Sequence, residues 1–386
     1  MPWIQEPPLP APRAMFAAAT SDAPAGGSGA WIYAIGGADA AGNPATDVAY
    51  DTQAHSWSPI AALPTPRGCL AATSTPGGVH ALGGFNGTSF VAAHEIYEPA
   101  TNAWSAAKPL LTARSSLAAV TGPDGLVYAL GGWVGGGGGS NQVLAVVEAY
   151  DPTTGAWAPK APMPTPRGGL AAVTAGGLIY ALGGADGHSV LATVETYDPK
   201  ADKWTPGSPL PAARAGLAAA VGPNGEIYAI GGNGADGTST ASVYSYDPAT
   251  PAAGWAQQDP LSTERSLLAA TGIEGLVYAI GGYTSAANSD LDTVEAYMPY
   301  GFEQQVLNDL KKMGIVGILL GGVARGSAGG VVIGKHFIPI PPRSPVMAFI
   351  LGAAAPYLGG AIENPHLGQL IQTLRPDQAS TGIAGH

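Results

Sequence analysis

The sequence that decides the fold reads RGGLAAVT at residues 167–174, LIYALGG at 178–184, VETYDP at 194–199 and Trp204. Short apolar runs alternate there with Gly, Pro and Asp, which commonly separate β-strands. The stretch therefore predicts four short strands, the second of which ends at Gly183 and Gly184. Because glycine has no Cβ, such a pair permits positive φ or the close approach of a neighbouring backbone.

The same pattern occurs six times along the chain. Its glycine pairs are Gly36-Gly37, Gly83-Gly84, Gly131-Gly132, Gly183-Gly184, Gly231-Gly232 and Gly281-Gly282, spaced 47 to 52 residues apart. Each repeat also has one tyrosine before a turn (Tyr50, Tyr97, Tyr150, Tyr197, Tyr246, Tyr297) and one tryptophan (Trp3, Trp57, Trp104, Trp157, Trp204, Trp255). This period indicates an array of small β-units, each burying its apolar face against the next.

These motifs resemble the kelch-repeat family over residues 3 to about 299. The resemblance implies an all-β, six-bladed kelch-type β-propeller with one four-stranded sheet per repeat. The chain opens with Trp3 and Arg13 but no glycine pair before them, and the sixth repeat ends at Tyr297 without its tryptophan. We therefore predict that an N-terminal strand completes the last blade, because closing the ring removes exposed strand edges.

Residues 300–386 form a second predicted region, an apolar appendage that the resemblance does not reach. Its pattern predicts a helix at Phe302–Met313, two strands at Ile315–Leu320 and Val331–Ile340, and helices at Val346–Ile362 and Leu367–Leu374. A membrane span is disfavoured, since Arg325 interrupts the first apolar run and the second has about 17 residues where about 20 are needed. The appendage could cap the propeller, but we favour assembly with a protein partner or with further copies of the chain.

Composition limits the location and the partners. Cys69 is the single cysteine, which excludes intramolecular disulfides, and the N-terminus lacks a signal-like segment, so we predict a cytoplasmic protein. The Ala, Gly and Pro bias fits a bacterial chain. Residues 1–299 contain ten basic and 23 acidic residues, and their arginines all occupy one repeat position: Arg13, Arg67, Arg114, Arg167, Arg214 and Arg265. With no arginine outside this structural position, nucleic-acid binding by the propeller is not expected.

Three of the aromatic residues outside the repeat pattern share one position. Phe85, Trp133 and Tyr283 each follow a glycine pair directly, which places them on loops at one face of the ring. Solvent-facing rings there would form a binding surface, although these loops could also fold down and bury the rings. The polar candidates on the same loops are Asp39, Asn86, Asp186, His188, Asn233 and Asp236, for which turn formation is the competing interpretation, strongest at Asp186 and Asp236.

The family resemblance also indicates where a ligand would bind. Peptide-binding kelch proteins use these loops and the residues just after the repeat arginine. Here the latter are Ala14 and Met15, Gly68 and Cys69, Ser115 and Ser116, Gly168 and Gly169, Ala215 and Gly216, and Ser266 and Leu267. We interpret this set as small and uncharged. The chain thus departs from family members with a basic mouth, and an acidic peptide ligand is not expected.

Catalytic motifs are weak. Some propellers that resemble this chain carry out copper-radical oxidation or sugar epimerisation, but copper sites need converging ligands such as His. The seven histidines show no close pairing in sequence, and His80 merely replaces a second-strand tyrosine. The glycine-rich strings at 133–140 and 329–336 lack the Ser or Thr and the following helix of a phosphate loop. We therefore expect no metal and no cofactor.

Two functions remain open. The favoured one is a non-catalytic interaction module, or scaffold, that binds a protein or small ligand on the loop face, with residues 300–386 driving assembly. The alternative is an enzyme of the isomerase or sugar-epimerase type that uses the axial pocket, with His188, Asp186 or Cys69 as reacting groups.

Overall fold

The computed structural model describes residues 3–22, 29–38, 46–135, 141–299, 330–333 and 336–339. By its contacts the chain divides into two units, Met1–Pro299 and Tyr300–His386. The first unit contains six antiparallel four-stranded sheets, and the prediction of an all-β six-bladed propeller is confirmed.

The strands of the blades are as follows, from inner to outer. After β1 (Ile4–Glu6), blade 1 contains β2 (Ala17–Asp22), β3 (Ala30–Ile35), β4 (Val48–Asp51) and β5 (Ser56–Pro59), and blade 2 contains β6 (Ala71–Thr75), β7 (Gly78–Leu82), β8 (His94–Glu98) and β9 (Ala103–Ala106). Blade 3 contains β10 (Ala118–Thr121), β11 (Val127–Leu130), β14 (Val147–Asp151) and β15 (Ala156–Lys160), with a ribbon of β12 (Trp133–Gly135) and β13 (Asn141–Val143). Blade 4 contains β16 (Ala171–Ala175), β17 (Leu178–Leu182), β18 (Val194–Asp198) and β19 (Lys203–Pro206), and blade 5 contains β20 (Ala218–Val221), β21 (Ile227–Ile230), β22 (Val243–Tyr246) and β23 (Trp255–Gln258). Blade 6 contains β24 (Ala269–Ile273), β25 (Leu276–Ile280), β28 (Val294–Tyr297) and β1, with a ribbon of β26 (Tyr283–Thr284) and β27 (Ser289–Asp290).

The N-terminal strand closes the ring, as predicted. β1 pairs antiparallel with β28, and Ile4 lies opposite Ala296. The carboxylate of Glu6 accepts a hydrogen bond from the Tyr50 hydroxyl of blade 1 at 2.7 Å and lies 3.0 Å from Nδ1 of His55. The closing strand therefore joins blade 6 to blade 1 through side chains as well as through the sheet.

The tryptophans connect each blade to the preceding blade by a hydrogen bond. In every blade the indole Nε1 donates to a backbone carbonyl of the preceding blade, at 2.8 to 3.0 Å: Trp3 to Asp259, Trp57 to Pro7, Trp104 to Ala61, Trp157 to Lys108, Trp204 to Ala161 and Trp255 to Ser208. An indole supplies a large apolar surface and one N–H donor, which suits a seam between two sheets.

The glycine pairs also join neighbouring blades. All twelve glycines have positive φ. The second glycine of each pair donates its N–H to the carbonyl of the repeat arginine of the next blade, as Gly132 does to Arg167 at 2.9 Å. A Cβ on Gly131 would lie 2.4 Å from that same carbonyl oxygen, so a side chain cannot fit there.

The repeat arginines lie inside the blades. All six are at most 3 % exposed, and four of them pair with a glutamate of the third strand: Arg67 with Glu95, Arg114 with Glu148, Arg167 with Glu195 and Arg265 with Glu295. Each glutamate also accepts a hydrogen bond from the segment that crosses over to the first strand, from Thr65, Leu111, Thr165 and Ser262 respectively. The ion pair thus fixes the crossover that leads to the ring axis.

The first strands surround an axial cavity of about 420 Å³. Its wall includes one alanine from the same position of every blade: Ala18, Ala72, Ala119, Ala172, Ala219 and Ala270. Small side chains are required where six strands converge, as the sequence indicated.

The described part of the second unit is one hairpin, formed by β29 (Gly330–Ile333) and β30 (His336–Pro339). Gly330 lies opposite Pro339 and Ile333 opposite His336. The prediction of a single strand over Val331–Ile340 was wrong, because this range contains residues of two separate strands. The predicted strand Ile315–Leu320 and the predicted helices lie outside the described residues.

Within the residues that the structure describes, the one helical segment is a 3₁₀ turn at Pro251–Ala253. None of the helices in that part of the chain has the length and apolar character needed to cross a membrane.

Candidate binding site on the loop face

A closed ring of backbone hydrogen bonds surrounds the axis at the loop face. Its members are the second residues after each repeat arginine: Met15, Cys69, Ser116, Gly169, Gly216 and Leu267. Each N–H donates to the carbonyl of the member before it, at 2.7 to 3.1 Å, and Met15 closes the ring by donating to Leu267. All six residues have φ between 50° and 63°. Four of them are not glycine, so the ring holds side chains in a conformation that L-residues rarely adopt.

A second set of residues surrounds this ring. The residue after each glycine pair forms a backbone bridge with the residue after the arginine of its own blade: Ala38 with Ala14, Phe85 with Gly68, Trp133 with Ser115, Ala185 with Gly168, Asn233 with Ala215 and Tyr283 with Ser266. We call the ring together with these bridged residues the mouth. Phe85, Trp133, Asn233 and Tyr283 therefore occupy equivalent places around one opening.

Three large apolar side chains at the mouth are exposed. The exposed fractions are 37 % for Met15, 36 % for Phe85 and 37 % for Leu267. In the described part of the chain the other exposed large hydrophobic residues are Ile4 and Leu111. Met15 and Leu267 adjoin one another in the ring, whereas Phe85 stands on the blade 2 loop, where its ring lies 5.5 Å from that of Phe90.

A cavity of about 200 Å³ opens between blades 1 and 2. Met15, Pro66, Cys69, Phe85 and Asn86 are among its lining residues. The cavity therefore brings together two exposed apolar side chains, the polar candidate Asn86 and the candidate thiol Cys69. Its size suits a single apolar side chain or a small ligand.

Cys69 lies half-buried in this cavity as a free thiol. Burial raises the pKa of the Cys69 thiol, and a hydrogen bond with the Ser116 side chain offsets part of that rise. Since the thiolate is the nucleophilic form, a raised pKa makes the group less reactive. Cys69 is therefore better suited to lining the cavity than to acting as a nucleophile.

The indole of Trp133, which belongs to blade 3, lies over the neighbouring blade 4. A Cβ on Gly168 would meet the Trp133 indole at 2.3 Å, and one on Gly187 would lie 3.8 Å from it. Trp133 is therefore half-buried over the blade 4 loop that carries Asp186 and His188. The structure thus brings these three sequence candidates to one part of the mouth.

Tyr283 and Asn233 lie on the other side of the mouth, in blades 6 and 5. The Tyr283 hydroxyl donates to Oδ1 of Asn288 at 2.6 Å, and its backbone carbonyl accepts from the Ser239 hydroxyl at 3.3 Å. Asn233 Oδ1 and the Leu267 side chain both lie beside Gly216. Both candidates are half-buried.

Three polar candidates form turns. The carboxylate of Asp186 accepts from the N–H groups of His188 and Ser189, Asn86 accepts from Thr88 and Ser89, and Asp236 accepts from Thr238. Hydrogen bonds of this kind, from backbone N–H groups to a side chain of the same loop, stabilise the turn. Asp39 lies outside the described residues.

The sequence missed two residues of the mouth. Met15 and Leu267 were interpreted as members of a small, uncharged set; they are uncharged, but they are large and exposed. Their position two residues after the repeat arginine was the available signal. The ring holds both residues at positive φ. For that reason, their polarity in the sequence did not indicate that their side chains are exposed.

Ionisable groups are sparse along the axis. The described wall of the axial cavity consists of Ala, Thr, Val, Leu, Phe, Ser and Gly side chains. No group of three or more His, Cys, Asp or Glu that could hold a metal occurs among the residues that the structure describes.

Comparisons with known proteins agree with this architecture. The kelch motif matches residues 114–164, 166–211, 214–251 and 264–300. A solved structure titled "Structure of YjhT" superimposes with a TM-score of 0.66 at 17 % identity, covering 77 % of this chain and 97 % of that one. At that identity the likeness shows the fold alone. The chain is a six-bladed β-propeller with kelch motifs over the matched residues.

Proposed function

We propose that the propeller is an interaction module that binds a partner segment or small ligand at the mouth. The exposed apolar side chains of Met15, Phe85 and Leu267 beside a cavity of about 200 Å³ carry this proposal. An apolar anchor side chain that enters a well-packed pocket contributes most of the affinity in many interfaces. Kelch propellers commonly mediate protein interactions, which supports the same conclusion.

The axial-pocket enzyme receives less support. An isomerase or epimerase that moves a proton needs a general acid or base within hydrogen-bond reach of its substrate. Among the described residues, the axial wall offers hydroxyl and apolar side chains, the Asp186 carboxylate shapes its own loop, and burial raises the pKa of Cys69. These features favour binding over catalysis.

A selection experiment tests the proposed site. A phage-displayed library of random dodecamers would be panned on the full chain and then on the Phe85→Asp variant. We expect enriched clones that bind the full chain and lose binding to Phe85→Asp. Ile4→Asp is the matched control, because Ile4 is another exposed large apolar residue but lies on the outer strand of blade 6. A library that yields no clone sensitive to Phe85→Asp would contradict the proposal.

We also propose that residues 300–386 drive assembly with a partner or with further copies of the chain. Their many apolar residues support this role, since apolar surface that is not buried within a chain favours association. Light scattering on the full chain and on residues 1–299 at several concentrations tests it. We expect only the full chain to form particles of more than one chain. The same number of chains per particle for both would contradict the proposal.

A further inference from the structure

The charged groups around the mouth are distributed unevenly. The loops that follow the six glycine pairs contain no Lys or Arg, whereas they contain Asp186 and Asp236. Glu264, in the crossover of blade 6, reaches the same face, where its carboxylate accepts from the Thr284 hydroxyl at 2.6 Å and from the N–H of Ala286. The loops thus present acidic side chains without a Lys or Arg, and His188 beside Asp186 is the basic side chain nearest to them in sequence.

The buried arginines do not reverse this balance. They are at most 3 % exposed, and Glu95, Glu148, Glu195 and Glu295 neutralise four of them. Asp47 lies close enough to Arg13 to act on it electrostatically. Arg214 lacks a carboxylate, but it donates to the carbonyls of Gly231 and Ser242 and lies over the Tyr244 ring at 4.9 Å. No repeat arginine is therefore placed to contact a ligand at the surface.

The acidic groups Asp186, Asp236 and Glu264 keep their charge over a wide pH range. Hydrogen bonds from the His188 and Ser189 N–H groups lower the pKa of Asp186, and a hydrogen bond from the Thr238 side chain lowers that of Asp236. The Thr284 hydroxyl lowers the pKa of Glu264. These groups stay ionised at neutral pH and below it.

The loop face therefore combines apolar side chains with acidic ones. Met15, Phe85 and Leu267 lie in blades 1, 2 and 6, while Asp186, Asp236 and Glu264 lie beside the mouth in blades 4, 5 and 6. We infer that the partner of this mouth is a cationic protein segment with one apolar anchor side chain. This inference rests on the proposed function. The anchor enters the cavity beside Phe85, and Lys or Arg side chains of the same segment face Asp186, Asp236 and Glu264.

The dodecamer selection tests this chemistry directly. Clones that depend on Phe85 are expected to carry a net positive charge together with at least one Leu, Phe, Met or Ile. Clones that depend on Phe85 but are neutral or acidic would overturn the cationic partner while leaving the proposed function in place. If no clone depends on Phe85, both ideas fail together.

Neutralising the mouth provides the second measurement. The variant Asp186→Asn, Asp236→Asn, Glu264→Gln keeps hydrogen-bond acceptors in place and removes three charges. We expect the affinity of the strongest clone to fall by about tenfold, since charges at an interface rim act mainly through long-range complementarity. The control is Asp151→Asn, Asp198→Asn, Asp247→Asn, which alters carboxylates with the same turn-forming role between the third and fourth strands of blades 3, 4 and 5. Equal effects of the two triple variants would overturn the inference.

Discussion

Blades 4 and 5 are neighbours with the same strand order and the same buried arginine, but only blade 4 gives that arginine a carboxylate. Arg167 pairs with Glu195, which also accepts from the Thr165 hydroxyl at 2.7 Å. In blade 5 the crossover has Pro211 and Ala212 before Arg214, so neither an N–H nor a hydroxyl is available at the equivalent places. Tyr244 replaces the glutamate there.

Blade 1 repeats the pattern of blade 5. Its crossover has Pro10 and Ala11, and Val48 stands where the glutamate would be. The glutamate is thus present where the crossover offers it a donor and absent where it does not. The replacement of the glutamate in blades 1 and 5 is therefore explained by the scaffold. Phe85 also differs from the repeat pattern, but no scaffold contact of this kind explains it. The comparison therefore separates structural departures from those that mark the candidate site.

The largest expected effect comes from breaking the pair in blade 4. Glu195→Ala leaves Arg167 as a buried cation without its carboxylate, which costs about 3–5 kcal/mol in buried pairs. Tyr244→Ala in blade 5 should lower the free energy of unfolding by less, about 1–2 kcal/mol, because Arg214 keeps its carbonyl partners. Urea unfolding of both variants makes the comparison. Equal losses would show that Glu195 has no special role.

Acid should affect blade 2 more than blade 4. His80 and His94 occupy places where blade 4 has Tyr180 and Val194, and they are linked by a hydrogen bond of 2.9 Å. Their other partners are the Thr75 hydroxyl and the Lys108 carbonyl. The edges of Tyr150 and Trp157 pack against the pair, and Arg67 lies near enough to lower the pKa of His94 electrostatically. Burial lowers the pKa of His80 to about 4 and that of His94 to about 3.

The sign of the pH effect follows from these values. The unfolded chain binds protons on these histidines as pH falls below about 6.5, while the folded chain stays neutral until about pH 4. Stability is therefore expected to fall across this window, by up to about 1.4 kcal/mol per pH unit for each histidine. The double variant His80→Tyr, His94→Val takes the residues of blade 4 and should have a shallower slope in urea unfolding between pH 7 and pH 4.5. Identical slopes would contradict this origin.

A smaller effect is expected in the crossover itself. Thr165→Ala removes the hydroxyl that donates to Glu195 and should cost about 1.5–3 kcal/mol, as for a hydrogen bond to a charged group. Thr112→Ala is the matched control, since Glu148 of blade 3 accepts from the N–H of Leu111. The control should change the free energy of unfolding by less than about 0.5 kcal/mol. A loss of the same size in both variants would show that the hydroxyl is not what matters.

The sequence predicts much of the fold because the repeat is dictated by short-range physics. Positive φ at Gly183 and Gly184, and small side chains such as Ala172 at the axis, follow from local sterics and could be read from one repeat. The site could be predicted only in part, because it joins residues from different blades. The cavity shared by Met15 and Phe85, and the packing of Trp133 over Gly168, depend on how neighbouring blades are rotated against each other. No pattern within one repeat encodes those contacts.

The smallest effect on stability is expected at Phe85, where the central claim is tested. Phe85→Ala should lower the free energy of unfolding by at most about 1 kcal/mol, because Phe85 is 36 % exposed and its ring contact is with Phe90 of the same loop. The one measurement is the paired determination of its unfolding free energy and of its affinity for the strongest selected dodecamer, with Ile4→Ala as the control. The account predicts a loss of stability of at most about 1 kcal/mol with at least about a tenfold loss of affinity, and the control does not show this loss of affinity. A marked loss of stability with unchanged affinity would place Phe85 in the scaffold and contradict the account.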